Sequence, residues 1–172
     1  MYRELPSDRY YAACEGSWAA PLTLVVTEPT AVLRAMGLLD GLGLLALAWW
    51  PRWLGRVLLH TTVQPLANRQ VRHTTTVRWL GLPVVHSNEL LSLEADGVRL
   101  RMHGTTRMLL MPWRRLPVRG SGQIAADASR ATYRLEWMGA EIIQESTRLA
   151  DTVELSQSGP GYHARESLQR EC

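Results

Sequence analysis

The chain has 172 residues, enough for one domain with a real core, and a modest formal net charge of +3. All nineteen basic residues are arginine, and they are scattered along the strand-like segments rather than clustered with aromatics, which argues against nucleic-acid binding. The two cysteines, Cys14 and Cys172, make neither a disulfide framework nor a metal-ligand spacing, and the start MYRELPSDRYY lacks the apolar stretch of a signal peptide, so the cytoplasm is the default expectation.

Taken in order, residues 1–15 read as a short opening helix with Ser7 as its cap before Asp8. Gly16-Ser17-Trp18 opens a first strand that continues to Val26. The next stretch, 28–55, is the one long helical pattern of the chain. Thr27 precedes Glu28 and Pro29, a cap followed by residues suited to a first turn, and Gly37 ends that helix. Asp40 can cap a second helix that runs to about Trp50, where Pro51 stops it. Leu42, Leu44, Leu45, Leu47, Trp49 and Trp50 leave this second helix without a polar face, so it is buried or lies against lipid. Its uninterrupted run is shorter than the roughly 20 residues a membrane span requires. An interfacial position remains open, because Trp49, Trp50 and Trp53 stand near Arg52 and Arg56.

From Arg56 to the end the pattern is strands. Arg56–Gln64 is β-branched and apolar, and Val71–Leu80 alternates cleanly. Gly81-Leu82-Pro83 turns the chain into Val84–Glu94. Asp96-Gly97 is a hairpin signal before Val98–Leu110. Pro112–Pro117 reads as a loop, and Val118–Ala125, Ala131–Met138, Ala140–Leu149, Thr152–Gln157 and Tyr162–Arg170 complete the series. The fold class is therefore mainly β: an up-and-down antiparallel β-barrel of about ten strands, with a helix-turn-helix lid after the first strand, in one domain spanning 1–172.

This order of elements, with Gly16-x-Trp18 at the first strand and the spacing of TYRLEWMGAEIIQESTRLADTVELSQSGPGYHARESLQR at the end, resembles the calycins, most closely their fatty-acid-binding-protein-like branch. The order of elements also resembles lipocalin-like and nitrobindin-like barrels, without a haem-ligand signature here. The resemblance implies a barrel that holds a fatty acid or similar lipophile under a helical portal. It also implies an anchor for the ligand's carboxylate: an Arg on the last strand with a Tyr two residues on. Arg165 matches the Arg, Ser167 stands in place of the Tyr, and Gln144 or Ser146 corresponds loosely to a further inner polar residue.

Alternation assigns the faces. A three-residue turn at Gly81–Pro83 sets Val77 opposite His86 and Thr75 opposite Asn88, which puts Val71, His73, Thr75, Val77, Trp79, His86, Asn88 and Leu90 inside, with Leu100, Met102 and Met108. Glu89 and His103 then pair on the outer face. Towards the C-terminus the same exercise puts Tyr133, Leu135, Trp137, Gln144, Arg148, Gln157, His163 and Arg165 inside. An interior of apolar walls with several polar groups suits a ligand cavity better than a dry core.

Three readings follow. The first is a carrier of a lipophilic small molecule, with or without an anionic head group, bound by Arg165, Ser167, Trp79, Thr75, Met102, Tyr133, Gln144 and Arg148. The second is a cofactor-free isomerase or cyclase on the same scaffold, with His73, His86 and Asn88 as acid/base and orienting groups. Against it stands the plain alternative that each histidine bonds a Thr or Asn across the sheet. The third is transient contact of the lid with a membrane surface through its tryptophans. No cofactor or metal is expected, and no dinucleotide, phosphate-loop or zinc pattern is present.

Overall fold

The computed structural model describes residues 4–49, 51, 55–108, 111–137 and 139–171. Of the three lid tryptophans, Trp50 and Trp53 lie outside the described residues, as do Met138 and Cys172.

Helix α1 (Pro6–Cys14) comes first, with Pro6 in its first turn. Two short strands follow, β1 (Gly16–Pro21) and β2 (Leu24–Val26), then helices α2 (Pro29–Met36) and α3 (Leu38–Ala48). Nine further strands complete the chain: β3 (Val57–Leu66), β4 (Gln70–Trp79), β5 (Leu82–Leu93), β6 (Arg99–Met108), β7 (Met111–Ile124), β8 (Arg130–Trp137), β9 (Ala140–Arg148), β10 (Thr152–Gly159) and β11 (Tyr162–Arg170). Each of β3–β11 pairs antiparallel with its neighbour in sequence. β11 returns to pair with both β1 and β2. The sheet is therefore closed, and β1 and β2 are one first strand broken at Leu22–Thr23. This is the expected ten-stranded antiparallel barrel with a helical lid after the first strand.

Helix α1 closes one end. Ser7 is not its cap, because Leu5 holds that position without a side-chain bond. Ser7 is instead fully buried, its backbone N–H bonding Gly97 O at 2.9 Å and its hydroxyl accepting from Arg69 at 3.1 Å. Gly97 sits at φ +69, and a Cβ there would lie 2.4 Å from the Cβ of Leu5, so the hairpin turn at Asp96-Gly97 also seats this helix. Trp18 plugs the same end: its indole N–H bonds Cys14 O at 2.9 Å. The Arg170 guanidinium lies 4.4 Å above its ring and bonds the carbonyls of Ala13 and Glu15.

The lid covers the other end. Gly37 does separate its two helices, at φ +85. Neither expected cap forms, however. Thr27 precedes the N-cap Glu28, and the backbone N–H groups of both residues bond Gly161 O between β10 and β11. Asp40 is in the first turn of α3, not at its cap, and is buried in a two-pronged ion pair with Arg114 at 2.8 and 3.0 Å. Arg114 belongs to residues 112–117, expected as a loop and found inside β7. Arg115–Pro117 pair with β6, residues 112–114 fall in a bulge between Arg115 and Met111, and β8 joins β7 only from Val118 onward. The stretch is an edge on that side, where Pro112 and Pro117 are tolerated.

Candidate functional site

The barrel encloses a cavity of about 170 Å³. The floor is set by Tyr10, Tyr11 and Cys14 of α1 with Trp18, the roof by Leu44 and Leu47 of α3. Much of the wall between them is apolar, including Leu59, Val77, Leu91, Leu135, Ile142 and Leu168. Into that wall the strands insert a few polar groups, and the register decides which.

The turn between β4 and β5 has two residues, Leu80 and Gly81, both at positive φ, so Trp79 pairs with Leu82. A bulge beyond Arg78 then sets Val77 opposite Val85, Thr75 opposite Ser87 and His73 opposite Glu89. The expected three-residue turn had these partners one residue further on. A one-residue slip reverses a whole strand. His86 and Asn88 are therefore on the outer face and exposed, with His86 Nδ1 3.0 Å from Thr76 Oγ1, and they leave the catalytic candidates. Leu90, too, does not line the cavity. In their place Val85, Ser87, Glu89 and Leu91 point inward, and Glu89 pairs with His73 rather than with His103 outside.

His73 and Glu89 form the centre of a directed network. His73 Nδ1 lies 2.9 Å from Glu89 Oε2, and the Ser87 hydroxyl donates to Oε1 at 2.8 Å. With its one proton so used, Ser87 accepts from Thr106 at 3.1 Å, and Thr106 in turn accepts from the Trp137 indole N–H at 3.1 Å. Every donor in the chain thus leads to the Glu89 carboxylate. With Nδ1 committed, Nε2 is the His73 nitrogen left for a ligand.

On β11 the expected parity is also reversed. His163, Arg165 and Ser167 are exposed on the outer face, where Ser167 bonds Glu154 at 2.7 Å. Arg165 and Ser167 therefore cannot grip anything inside. The inner residues are Tyr162, Ala164, Glu166 and Leu168. The signal for this was in the sequence: the even positions of β11 are apolar apart from Glu166 and the terminal Arg170, and the odd ones are polar. Glu166 is only 3% exposed, and its Oε1 has no hydrogen-bond partner among the described residues. Burial pushes its carboxyl up to about 7, against a hydrogen bond from the Thr23 backbone that pulls it down.

The remaining candidates divide. Thr75, Met102, Tyr133 and Gln144 line the cavity as expected, as do His73, Leu135, Trp137 and Gln157. Trp79 is half-buried beside Gly55 at the lid end and does not line the cavity. Arg148 shares the inward parity of Gln144 but does not line the cavity; its charge acts on Cys14 of α1. Two tyrosine hydroxyls of α1 reach across the floor, Tyr10 to Ser146 at 2.5 Å and Tyr11 to Tyr133 at 2.6 Å. Burial raises all three tyrosines well above their ordinary range, and raises Cys14 to about 11, so these groups are neutral near pH 7. No arginine is among the described residues on the wall.

A closed ten-stranded antiparallel barrel, broken in its first strand, lidded by two helices and plugged by a Gly-x-Trp tryptophan, is the architecture that the resemblance to fatty-acid-binding-protein-like barrels implied. Among solved structures the chain is similar to secretory abundant heat soluble protein 4 from Ramazzottius varieornatus, with a TM-score of 0.56 at 10% identity over 100% of this chain and 99% of that one. A second secretory abundant heat soluble protein from the same organism matches with a TM-score of 0.53 at 10% identity, over 92% of this chain and 96% of that one. At that identity the likeness is one of fold. No family model matches the chain, and no curated protein matches it in sequence.

Proposed function

We propose that the protein binds a small lipophilic molecule inside the barrel. The observation that carries this reading is the cavity of about 170 Å³ between the helical lid and the floor, with apolar walls and a few inward polar groups. A stability-optimised core would be filled to native density, and polar groups facing a void would be excluded from it. The same arrangement serves a ligand, since apolar walls supply affinity and the polar groups orient. The lid suits loading from a membrane surface, because Leu38, Leu39 and Leu42 of its second helix and Trp49 just past its end are exposed. No helix among the described residues is long and apolar enough to cross a membrane.

Native mass spectrometry of freshly purified protein tests the reading, together with displacement of a hydrophobic fluorescent probe. A co-purifying lipophile, or saturable probe binding lost when the cavity is filled, is expected. Protein that carries nothing and takes up no probe would leave the cavity without a use as a binding site.

The His73–Glu89 pair favours a second reading on the same scaffold, a cofactor-free isomerase or cyclase with His73 as acid/base and Glu89 as the group that orients it. Under that reading His73→Ala abolishes turnover of a candidate substrate while leaving its binding largely intact. Equal turnover in the variant removes it.

A further inference from the structure

Which ligand the cavity prefers depends on the charges it leaves unmatched. Resting on the carrier reading above, we propose that the ligand is a lipophilic amine whose ammonium group is held by Glu166. Three observations point the same way.

The first is Glu166 itself. It projects from the inner face of β11 between Ala164 and Leu168, with Leu155 of β10 opposite, so its immediate neighbours on the wall are apolar. On its other side the first strand is broken: β1 pairs with β11 only at Trp18 and Ala19, and β2 takes over at Leu24. The backbone of Thr23, freed in that break, supplies the one hydrogen bond the carboxyl receives. Oε1 is left without a partner at a residue only 3% exposed. An unpaired buried carboxyl oxygen is costly, and a fold keeps one where a ligand completes it.

The second is the balance of charge on the wall. The other inward carboxylate, Glu89, is already matched by His73 and Ser87. No arginine among the described residues lines the cavity: Arg165 is outside, and Arg148, whose Nε is buried without a hydrogen-bond partner among the described residues, acts on Cys14 of α1 and is not part of the wall. A carboxylate ligand would meet two acidic groups on the wall and no arginine lining it. An ammonium ligand supplies the missing counter-charge and the missing donor together.

The third is the rest of the lining. The remaining titratable groups facing the hollow are Cys14 and four tyrosines, all pushed above their ordinary values by burial. They are neutral near pH 7 and do not compete for the ammonium. Their rings add faces that favour a cation. The cavity has room for on the order of a dozen water-sized groups, which fits a ligand of about ten heavy atoms.

The test compares n-octylamine, 1-octanol and octanoate by titration calorimetry at about pH 8, where Glu166 is ionised and the amine is still a cation. Octylamine is expected to bind tighter than octanol by roughly tenfold or more, the scale of one charge-assisted hydrogen bond, and octanoate weakest. That preference is expected to shrink as pH falls through about 7 and Glu166 takes up its proton. Glu166→Gln is expected to bring octylamine to the level of octanol. Octanoate binding as tightly as octylamine in the unmodified protein overturns the inference, as does an amine preference that survives Glu166→Gln, and in either case the carrier reading stands. If none of the three ligands binds, the carrier reading itself falls and takes the inference with it.

Discussion

A buried carboxyl with one orphaned oxygen has a measurable signature before any ligand is found. The folded value for Glu166 lies near 7 and the ordinary value near 4.5, so the native state holds this proton more tightly than the unfolded chain does. Its contribution therefore runs against the fold as pH rises from 4.5 to 7, and the full penalty applies above that window. By linkage the penalty is up to about 3 kcal/mol. Glu166→Gln is expected to raise the melting temperature at about pH 8 and to leave it nearly unchanged at about pH 4. A thermal shift of the same size at both pH values would show that burial does not perturb the group. Glu89 was missed for a related reason at the same scale: its face depends on whether the preceding turn has two residues or three. The pair Leu80-Gly81 permits a two-residue turn only if leucine accepts a positive φ, which single-residue preference disfavours.

Two elements close the ends of the barrel, and each depends on one arginine. At the lid, Asp40 of α3 and Arg114 of β7 form a bidentate pair in which Asp40 is buried and Arg114 half-exposed. Asp40→Asn keeps the shape and removes the charge. It is expected to cost about 1–3 kcal/mol and to release α3, read as faster amide exchange in Leu38–Ala48 and faster probe uptake. Unchanged exchange there would mean that the Thr27 and Glu28 bonds to Gly161 hold the lid alone. At the floor, Arg170→Ala removes the stacking on Trp18 and two hydrogen bonds that tie the last strand to α1. A loss of about 1–2 kcal/mol in chemical denaturation is expected, with Trp18 emission shifted by solvent. An unaltered spectrum would place the plug in the apolar packing instead.

At the scale of the whole molecule, the barrel keeps a void that packing alone would close. Thr75 lies on the inner face of β4 opposite Ser87, and its side chain lines the hollow. Thr75→Phe fills part of that hollow from a strand centre. It is expected to abolish binding of a hydrophobic probe while leaving the melting temperature equal or higher, since the void is lost and one hydroxyl is removed from an apolar site. Undiminished probe binding would place the ligand outside the barrel, and the exposed leucines of α3 would be the next place to look.

The sequence by itself determined the architecture: ten strands in order, a helical pair after the first, and an interior both apolar and polar. Each strand carries its own alternation, and each helix its own breaks at Gly37 and Pro51, so these are local properties of the chain. Where alternation joined an unambiguous contrast, as along Leu100, Met102 and Met108 or Tyr133 and Leu135, the inner face was legible too. Only the tertiary structure decided which polar groups share the cavity. A one-residue change in a turn inverts every side chain that follows, and nothing local distinguishes His86 and Asn88 from Ser87 and Glu89 as inward residues. The same holds for the break at Leu22–Thr23, which exists because β11 must pair with two differently placed pieces of one strand. Closure of the sheet, a property of all ten strands at once, placed a carboxyl where an arginine had been expected.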